Sequence, residues 1–287
     1  MSIVVTGATG RLGRLVIDTL LAGGTPPAAV AAVVRDKARA ADLAERGIEL
    51  RVADYSRPET LADAFAAGDR VLLVSGSEVG RRVPQHQAVI AAAKAAGVAQ
   101  LAYTSILGGP EADFDLAAEH QETERAILAS GLPYTLLRNG WYTENYTENL
   151  APVLAHGTVV GSAGEGRVAS AARADYAAAA AAVLTRDGHL GKTYELSGDT
   201  AWSFAEYAAE LARQTGESIT YGEVPAEKHL DILTGAGVPE PFAALLVDVD
   251  AAIARGRLAA TGGDLARLIG RPTTPLAQSV TEALRAR

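Results

Sequence analysis

Hydrophobic residues in the first half of the chain fall into short continuous runs that alternate with segments of helical spacing. Residues 3–6 and 30–34 are almost entirely apolar, a pattern typical of strands buried on both faces of a parallel sheet. Between them, residues 11–21 carry apolar positions spaced along one face of a helix. The alternation continues with predicted strands at 48–52, 71–74, 101–104 and 134–137 and predicted helices at 37–46, 61–67, 85–96 and 117–130. This order predicts right-handed βαβ units and a doubly wound parallel sheet in an α/β fold.

The pattern becomes less regular after residue 138. Helices are predicted at residues 174–184 and 203–214, with a short strand at 193–196 between them. Ser203 and Glu206 have the spacing of a capping box at the start of the second helix. Because no internal repeat and no Ser/Gly-rich linker separates this half, we expect it to form a smaller lobe built onto the same sheet.

Composition and charge exclude several classes of protein. The 287 residues include no cysteine, which excludes disulfides, thiolate metal sites and a cysteine nucleophile. The net charge of -8 leaves no basic surplus for a phosphate backbone, so nucleic acid is not expected as a primary partner. No apolar run approaches the roughly 20 residues that span a bilayer, and the N-terminus lacks the basic region of a signal peptide. The histidines lack metal-ligand spacing. We expect a cytoplasmic protein that uses neither a membrane nor a metal.

Three glycines lie directly between the first predicted strand and the first predicted helix. At the spacing of Gly7, Gly10 and Gly13, the first permits a tight turn and the second lets a pyrophosphate approach the backbone. The third lets the helix pack closely on the strand. The N–H groups and the positive dipole of the helix N-terminus then face the phosphates. An ordinary glycine-rich turn is the alternative, but the position of the motif favours dinucleotide binding.

The end of the second predicted strand bears on the choice of cofactor. Sites for NAD usually place an acidic residue there, which accepts a hydrogen bond from the ribose 2′-hydroxyl. Arg35 occupies this position, and its guanidinium suits a 2′-phosphate. The alternative is that Asp36 accepts from the ribose, which would favour NAD. We favour NADPH.

Several later stretches carry a resemblance to a known family. The glycine motif resembles the opening of NmrA-like atypical short-chain dehydrogenases. The stretches at 77–80, 84–86, 103–105, 136–146 and 173–177 resemble one branch of that family, the bacterial NADPH-dependent quinone oxidoreductases. The resemblance is strong from residue 3 to about residue 196 and weaker to residue 274, and the block at 138–146 is its most specific part.

The resemblance implies a Rossmann-like core over residues 1–140, which binds NADPH. It also implies a smaller C-terminal α/β substrate lobe over residues 141–287, from which residues 173–197 return to the core. A cleft between the two would take the quinone. Carried over to this sequence, the cofactor-binding residues are Gly7, Thr9, Gly10, Arg11, Leu12, Gly13, Arg35, Ser77, Glu78, Val79, Gly140, Trp141, Tyr142, Asn145 and Arg173.

Aromatic and amide side chains cluster after the sixth predicted strand, where open α/β sheets place their ligand crevice. Trp141, Tyr142 and Tyr146 suit a flat, oxygen-bearing ring, and Asn145 lies among them as a candidate catalytic residue. The alternative is that these side chains pack the core between the two lobes. We favour a substrate site.

The proton donor of ordinary short-chain dehydrogenases is missing. They use a serine and a Tyr-x-x-x-Lys motif to protonate a carbonyl oxygen. Ser105 stands where the serine would, but Leu116 and His120 replace the tyrosine and the lysine. A reduced quinone is a stabilised phenolate that water can protonate, whereas an alkoxide needs an acid. His120 is the candidate catalytic residue that remains. It could bind the nicotinamide ribose, protonate the acceptor, or only anchor its helix through a backbone bond.

These observations favour an oxidoreductase that transfers hydride from NADPH to a quinone or a similar electron-poor acceptor, with no flavin or metal. Two alternatives stay open. NmrA-like proteins can serve as NAD(P)-binding redox sensors without turnover, and plant relatives reduce activated alkenes. The protein is expected to act as a monomer or a homodimer on a small-molecule substrate.

Overall fold

A seven-stranded sheet forms the centre of the first half of the chain. The strands are β1 (Ile3–Val5), β2 (Val30–Val34), β3 (Glu49–Val52), β4 (Arg70–Leu73), β5 (Gln100–Ile106), β6 (Tyr134–Asn139) and β9 (Lys192–Leu196). Their order in the sheet is β3-β2-β1-β4-β5-β6-β9, and strands β1 to β6 pair in parallel. Residues 191 and 196 bond to residues 134 and 140 respectively, so β9 also runs parallel to β6.

The computed structural model describes residues 1–286, which divide into two compact units. The first unit comprises Met1–Pro110, Ala118–Asn139 and Ala174–Glu195, and therefore contains the sheet. The second unit comprises Glu111–Ala117, Gly140–Arg173 and residues 196–286. Five helices contribute to the first unit: α1 (Arg11–Ala22), α2 (Ala41–Glu45), α3 (Arg82–Ala96), α4 (Asp115–Ser130) and α7 (Arg173–Thr185).

Two inner strands of the sheet are buried along their whole length, as their apolar runs predict. Every residue of β2 and of β5 is buried. Residues of β1, β4 and β5 form one core cluster with apolar side chains of α3, such as Val89 and Ile90. The parallel α/β fold with a Rossmann-like strand order is thus confirmed.

Residues 61–67 do not form the helix that their apolar spacing predicts. A short 3-10 helix spans Pro58–Leu61, and turns follow it. Leu61 and Phe65 are buried in the core, so their spacing reflects packing without a helix. The carboxylate of Asp69 accepts the Ala66 N–H at 3.0 Å and thereby satisfies that amide outside a helix. The helix predicted at 37–46 is also shorter: a 3-10 turn at Ala38–Ala40 precedes α2.

The second unit contains two small sheets that the sequence pattern did not predict. In one, β7 (Thr158–Gly161) pairs in parallel with β11 (Thr220–Glu223). In the other, β8 (Arg167–Val168) pairs antiparallel with β10 (Trp202–Ser203). Strands this short carry too few residues for a period to be read. The helices of this unit are α5 (Glu144–Thr147), α6 (Ala151–His156), α8 (Phe204–Thr215), α9 (Ala226–Gly235), α10 (Glu240–Ala254), α11 (Asp264–Ile269) and α12 (Leu276–Arg285).

The predicted capping box at the start of α8 is present. The Glu206 N–H donates to the Ser203 hydroxyl, and the Glu206 carboxylate accepts the Ser203 N–H at 2.8 Å. Of the helices in residues 1–286, none is both long and apolar enough to cross a membrane.

Candidate functional site

The glycine turn between β1 and α1 is shaped by close backbone contacts. Gly7 has a φ of +58°, a conformation that favours glycine. A Cβ on Gly13 would lie 2.4 Å from the Gly7 carbonyl oxygen, so only glycine allows α1 to approach the turn this closely. Gly10 differs from both in its backbone, because its φ of -79° is ordinary and a Cβ there would lie 3.1 Å from the same oxygen. Like Gly7, it is exposed. Its lack of a side chain thus leaves open surface at the helix N-terminus.

The N-terminus of α1 presents backbone donors to that open surface. The first helical hydrogen bond runs from the Arg14 N–H to the Gly10 carbonyl at 3.0 Å, so the amides of Leu12 and Gly13 have no acceptor within the helix. No acidic residue lies in the first turn to offset the positive end of the helix dipole. An anion is the complementary ligand.

Arg35 and Glu78, two predicted cofactor-binding residues that are distant in sequence, lie together in the first unit. Their nearest charged atoms, Nη1 and Oε1, are 3.6 Å apart, and 67% of the Arg35 side chain is exposed. The exposed guanidinium is accessible to a phosphate. Asp36, the alternative ribose acceptor, instead accepts the Ala38 N–H at 2.8 Å. This arrangement favours Arg35 as the residue that selects the cofactor.

The loop of residues 74–81, between β4 and α3, carries Glu78 and is held by polar side chains of α3 and α4 that are buried or half-buried. The Gly76 N–H donates to His86 Nε2 at 3.0 Å, and Arg82 Nε donates to the Gly76 carbonyl at 2.7 Å. Glu119 Oε1 accepts the N–H groups of Gly80 and Arg82, each at 3.1 Å. These four hydrogen bonds connect the loop to side chains of α3 and α4.

The sequence pattern does not predict these anchoring residues. Burial lowers the pKa of His86 to about 3, with a smaller contribution from the charge of Arg82, so the ring is neutral and can accept from Gly76. The only sequence signal was the place of residues 84–86 among the stretches that resemble the quinone oxidoreductases. Ser77 and Val79, which the family resemblance predicts as cofactor-binding residues, are exposed on this loop.

His120 lies on α4, buried to 5% exposure. Its Nδ1 atom lies 2.7 Å from the Tyr103 hydroxyl, so the bond that holds it is to a side chain and not to the backbone. Burial lowers the pKa of His120 well below its usual value, and the charge of Arg82 adds to this effect. The imidazole is neutral at physiological pH.

Ser105 is committed to a buried ionic network. Its hydroxyl donates to Glu124 Oε1 at 2.5 Å. The same carboxylate accepts two bonds from Arg138, at 2.9 and 2.7 Å. A serine bound to a carboxylate in this way is not available to protonate a carbonyl oxygen, and Leu116 offers no proton at all.

The remaining predicted residues lie in the second unit, where residues 140–148 run beside residues 170–173. Tyr142 bridges to Ala171, and the guanidinium carbon of Arg173 lies 5.0 Å from the centre of the Tyr142 ring. Arg173 also pairs with Glu148 at 2.7 Å, while its N–H donates to Glu144. Tyr142 and Arg173 are thus brought together as a stacked pair.

The other predicted aromatic residues differ in their surroundings. Tyr146 packs edge-on against Trp202 and Phe204, with ring centres 5.1 and 5.3 Å apart, and burial raises the pKa of its hydroxyl. Trp141 is 9% exposed, whereas Asn145 is exposed. Tyr146 therefore has a clear packing role in addition to any contact with substrate. Within residues 1–286, no group of three or more acidic or histidine side chains could hold a metal ion.

Comparison with known proteins agrees with this geometry. Residues 7–187, more than half of the chain, match the family described as NAD(P)H-binding. The chain belongs to the NAD(P)H-binding family. The matched segment begins at Gly7 and includes the glycine turn, Arg35 and the 74–81 loop.

Individual relatives in this family are similar over nearly the whole chain. Quinone oxidoreductase 2 of Escherichia coli is 47% identical over 279 residues, which cover 97% of both proteins. The crystal structure of the E. coli NADPH-dependent quinone oxidoreductase with NADPH has a TM-score of 0.95 at 47% identity, over 98% of this chain and 99% of that one. Citrobacter sp. triphenylmethane reductase with NADP(H) has a TM-score of 0.95 at 41% identity, over 98% of this chain and 100% of that one. These findings confirm the resemblance stated from the sequence.

Two glycine substitutions should separate binding from folding. Gly10→Ala should keep the unfolding free energy within about 1 kcal/mol, since its φ is ordinary and its neighbour needs to move only slightly. The methyl group should weaken NADPH binding by about 10-fold or more, because it occupies the place of the pyrophosphate. Gly13→Ala should instead destabilise the fold by about 1–3 kcal/mol through overpacking.

Urea unfolding and fluorescence titration with NADPH measure the two effects. A folded Gly10→Ala variant that binds NADPH as tightly as the unmodified protein would show that the turn is only structural.

Proposed function

We propose that this protein is an NADPH-dependent oxidoreductase that transfers hydride to a quinone or a similar electron-poor acceptor. The observation that carries the proposal is that one unit contains both a helix N-terminus with backbone donors and no acidic residue in its first turn, and an exposed arginine after β2. The similarity to quinone oxidoreductase 2 over 97% of both chains supports the choice of acceptor.

The first unit supplies a separate partner for each charged part of NADPH. The turn from Gly7 to Gly13, with the backbone donors of Thr9, Arg11 and Leu12, holds the pyrophosphate. Arg35 leaves Glu78 and binds the 2′-phosphate, and the anchored loop with Ser77 and Val79 lines the site. From the second unit, we assign Gly140, Trp141, Tyr142, Asn145 and Arg173 to the cofactor and Trp141, Tyr142 and Tyr146 to the substrate.

The chemistry needs little from the protein beyond binding and orientation. NADPH supplies a hydride, and a proton from water completes the conversion of the quinone to a hydroquinone, which leaves NADP⁺. The reduced oxygen is a stabilised phenolate, so a strong general acid is not required. The site contains no strong general acid at these positions, since Ser105 is bound to Glu124 and His120 is neutral.

In this proposal, the two parts of the chain have different roles. Residues 1–140 form the cofactor-binding core, and residues 141–287 form mainly the substrate lobe. The enzyme acts in the cytoplasm as a monomer or homodimer, with catalytic contributions from His120 and Asn145.

Arg35→Ala should change the choice of cofactor. The loss of a charge-assisted bond to the 2′-phosphate should weaken NADPH binding by about 10- to 150-fold, while NADH binding stays nearly unchanged. Arg46→Ala is the matched control, because Arg46 is also exposed on the first unit and pairs with an aspartate, Asp18, at 2.7 Å. Fluorescence titration of both cofactors against the three proteins measures the effect, and an unchanged ratio of NADPH to NADH affinity contradicts the role of Arg35.

The identity of the acceptor is tested by the rate of NADPH oxidation. The protein should oxidise NADPH steadily with a benzoquinone and should fail with a simple aliphatic ketone, because the ketone needs an acid that the site lacks. A protein that binds NADPH but turns over no quinone would be a sensor and not this enzyme. Rapid reduction of the ketone would require a proton donor that the proposal does not contain.

A further inference from the structure

Tyr103 and His120 form a buried hydrogen-bonded pair at the level where β4 ends. Tyr103 is fully buried in β5 and is aligned with Leu73, the last residue of β4. The carboxyl ends of these strands are where a parallel sheet of this kind binds its ligand. The proton positions in this pair therefore decide what His120 can offer to a bound cofactor.

The hydrogen bonds of the neighbouring His86 determine which of its ring nitrogens carries the proton. His86 Nε2 accepts the Gly76 N–H, so this nitrogen carries no proton. Because burial keeps His86 neutral, the proton must lie on Nδ1, which is 3.0 Å from the Thr123 hydroxyl. The Thr123 hydroxyl in turn donates to the Glu119 carbonyl at 2.8 Å. His86 is therefore the Nδ1–H tautomer, and each hydrogen bond around it has one defined donor and one defined acceptor.

His120 has the opposite tautomer, with its proton on Nε2. The Tyr103 hydroxyl lies 2.7 Å from His120 Nδ1, and the Thr123 hydroxyl is the other hydrogen-bonding group beside it. If Nδ1 carried the proton, the buried phenol would have no good acceptor for its own hydrogen, at a cost of about 1–3 kcal/mol. Thr123, the other hydroxyl near the phenol, already receives the proton of His86. Tyr103 therefore donates and Nδ1 accepts.

We propose that Tyr103 is a positioning residue that fixes His120 as its neutral Nε2–H tautomer, so that His120 donates a hydrogen bond to an uncharged oxygen of the bound dinucleotide. The role toward the dinucleotide rests on the proposed function. Nε2 makes no hydrogen bond to the described residues, which leaves its N–H available for a ligand. His120 thus orders the cofactor and does not supply the proton of the reaction.

The charged surroundings agree with a neutral ring. Arg82 and His86 are the groups that act on His120, and Glu119 and Glu124 act on Tyr103 together with Arg82. Burial is the main reason that an imidazolium is disfavoured, and the charge of Arg82 adds to it, so the ring of His120 stays neutral over the pH range in which the enzyme would work.

The first test reads the proton position directly. Nitrogen-15 spectra of the unmodified protein, labelled at its five histidines, distinguish protonated from unprotonated ring nitrogens. Signals are assigned with His120→Gln and His86→Gln variants. His120 should show a proton on Nε2 and His86 a proton on Nδ1, so the two neighbours should give opposite patterns in one sample.

The second test removes the phenol hydroxyl. Tyr103→Phe keeps the ring in the core, so His120 should become a mixture of tautomers, and NADPH should bind about 3- to 10-fold more weakly with a smaller change in kcat. Tyr194→Phe is the matched control, because the Tyr194 hydroxyl also lies 2.7 Å from a histidine Nδ1, that of His189. The carbonyl of His189 accepts a bond from Thr135 near the start of β6, at the opposite edge of the sheet. Tyr194→Phe should change the nitrogen-15 signals of His189 alone and leave those of His120 unchanged.

The outcomes separate this inference from the proposed function. A proton on Nδ1 of His120, an imidazolium at neutral pH, or a folded Tyr103→Phe variant that binds NADPH normally overturns the inference. If Tyr103→Phe fails to fold, the spectrum of the unmodified protein still decides the tautomer. A lack of quinone turnover by the unmodified protein contradicts the proposed function and leaves both readouts intact, since neither uses a quinone.

Discussion

The close packing of α1 against the turn that follows β1 is the constraint on which the cofactor site depends. A single added carbon at Gly13 would lie 2.4 Å from the Gly7 carbonyl oxygen, so the helix can begin at this position only if glycine is there. Because the helix begins there, its first amides lie at the carboxyl end of the central strands without acceptors of their own. The binding of an anionic cofactor is a consequence of that packing and needs no charged side chain at the pyrophosphate.

The rest of the site in the first unit is kept rigid by buried polar groups. Arg82, His86 and Glu119 each bond to backbone atoms of the 74–81 loop or of the residue that follows it. The loop therefore needs little ordering when a ligand arrives, which lowers the entropic cost of binding. The same buried environment keeps His86 and His120 neutral. Rigidity of the loop and the proton states of the histidines thus have one physical cause.

Much of the first unit could be predicted from the sequence because its signals are local. The apolar runs of β1 and β2, the helical spacing of α1 and the glycines between them all lie within a few residues of one another. The prediction of a helix at residues 61–67 was wrong because Leu61 and Phe65 are buried by contacts with distant residues. The small strands of the second unit are too short to show a period.

The parts of the site that could not be predicted depend on residues far apart in the chain. Nothing near Ser105 indicates that Glu124 will bind its hydroxyl, and nothing near His120 indicates that Tyr103 will meet its ring. Likewise, Arg35 suits a phosphate by its position, but its pairing with Glu78 depends on the topology of the sheet. Long-range polar contacts of this kind decide the chemistry, and local pattern does not contain them.

A crystal structure of the protein with NADPH is the most direct test of how the first unit binds its cofactor. We expect a pyrophosphate oxygen about 3 Å from the Leu12 amide nitrogen at the start of α1. We also expect the Arg35 guanidinium to have turned from Glu78 to the 2′-phosphate. A pyrophosphate bound away from the N-terminus of α1, or an Arg35 that still pairs with Glu78 while the 2′-phosphate lies elsewhere, would contradict this description of the site.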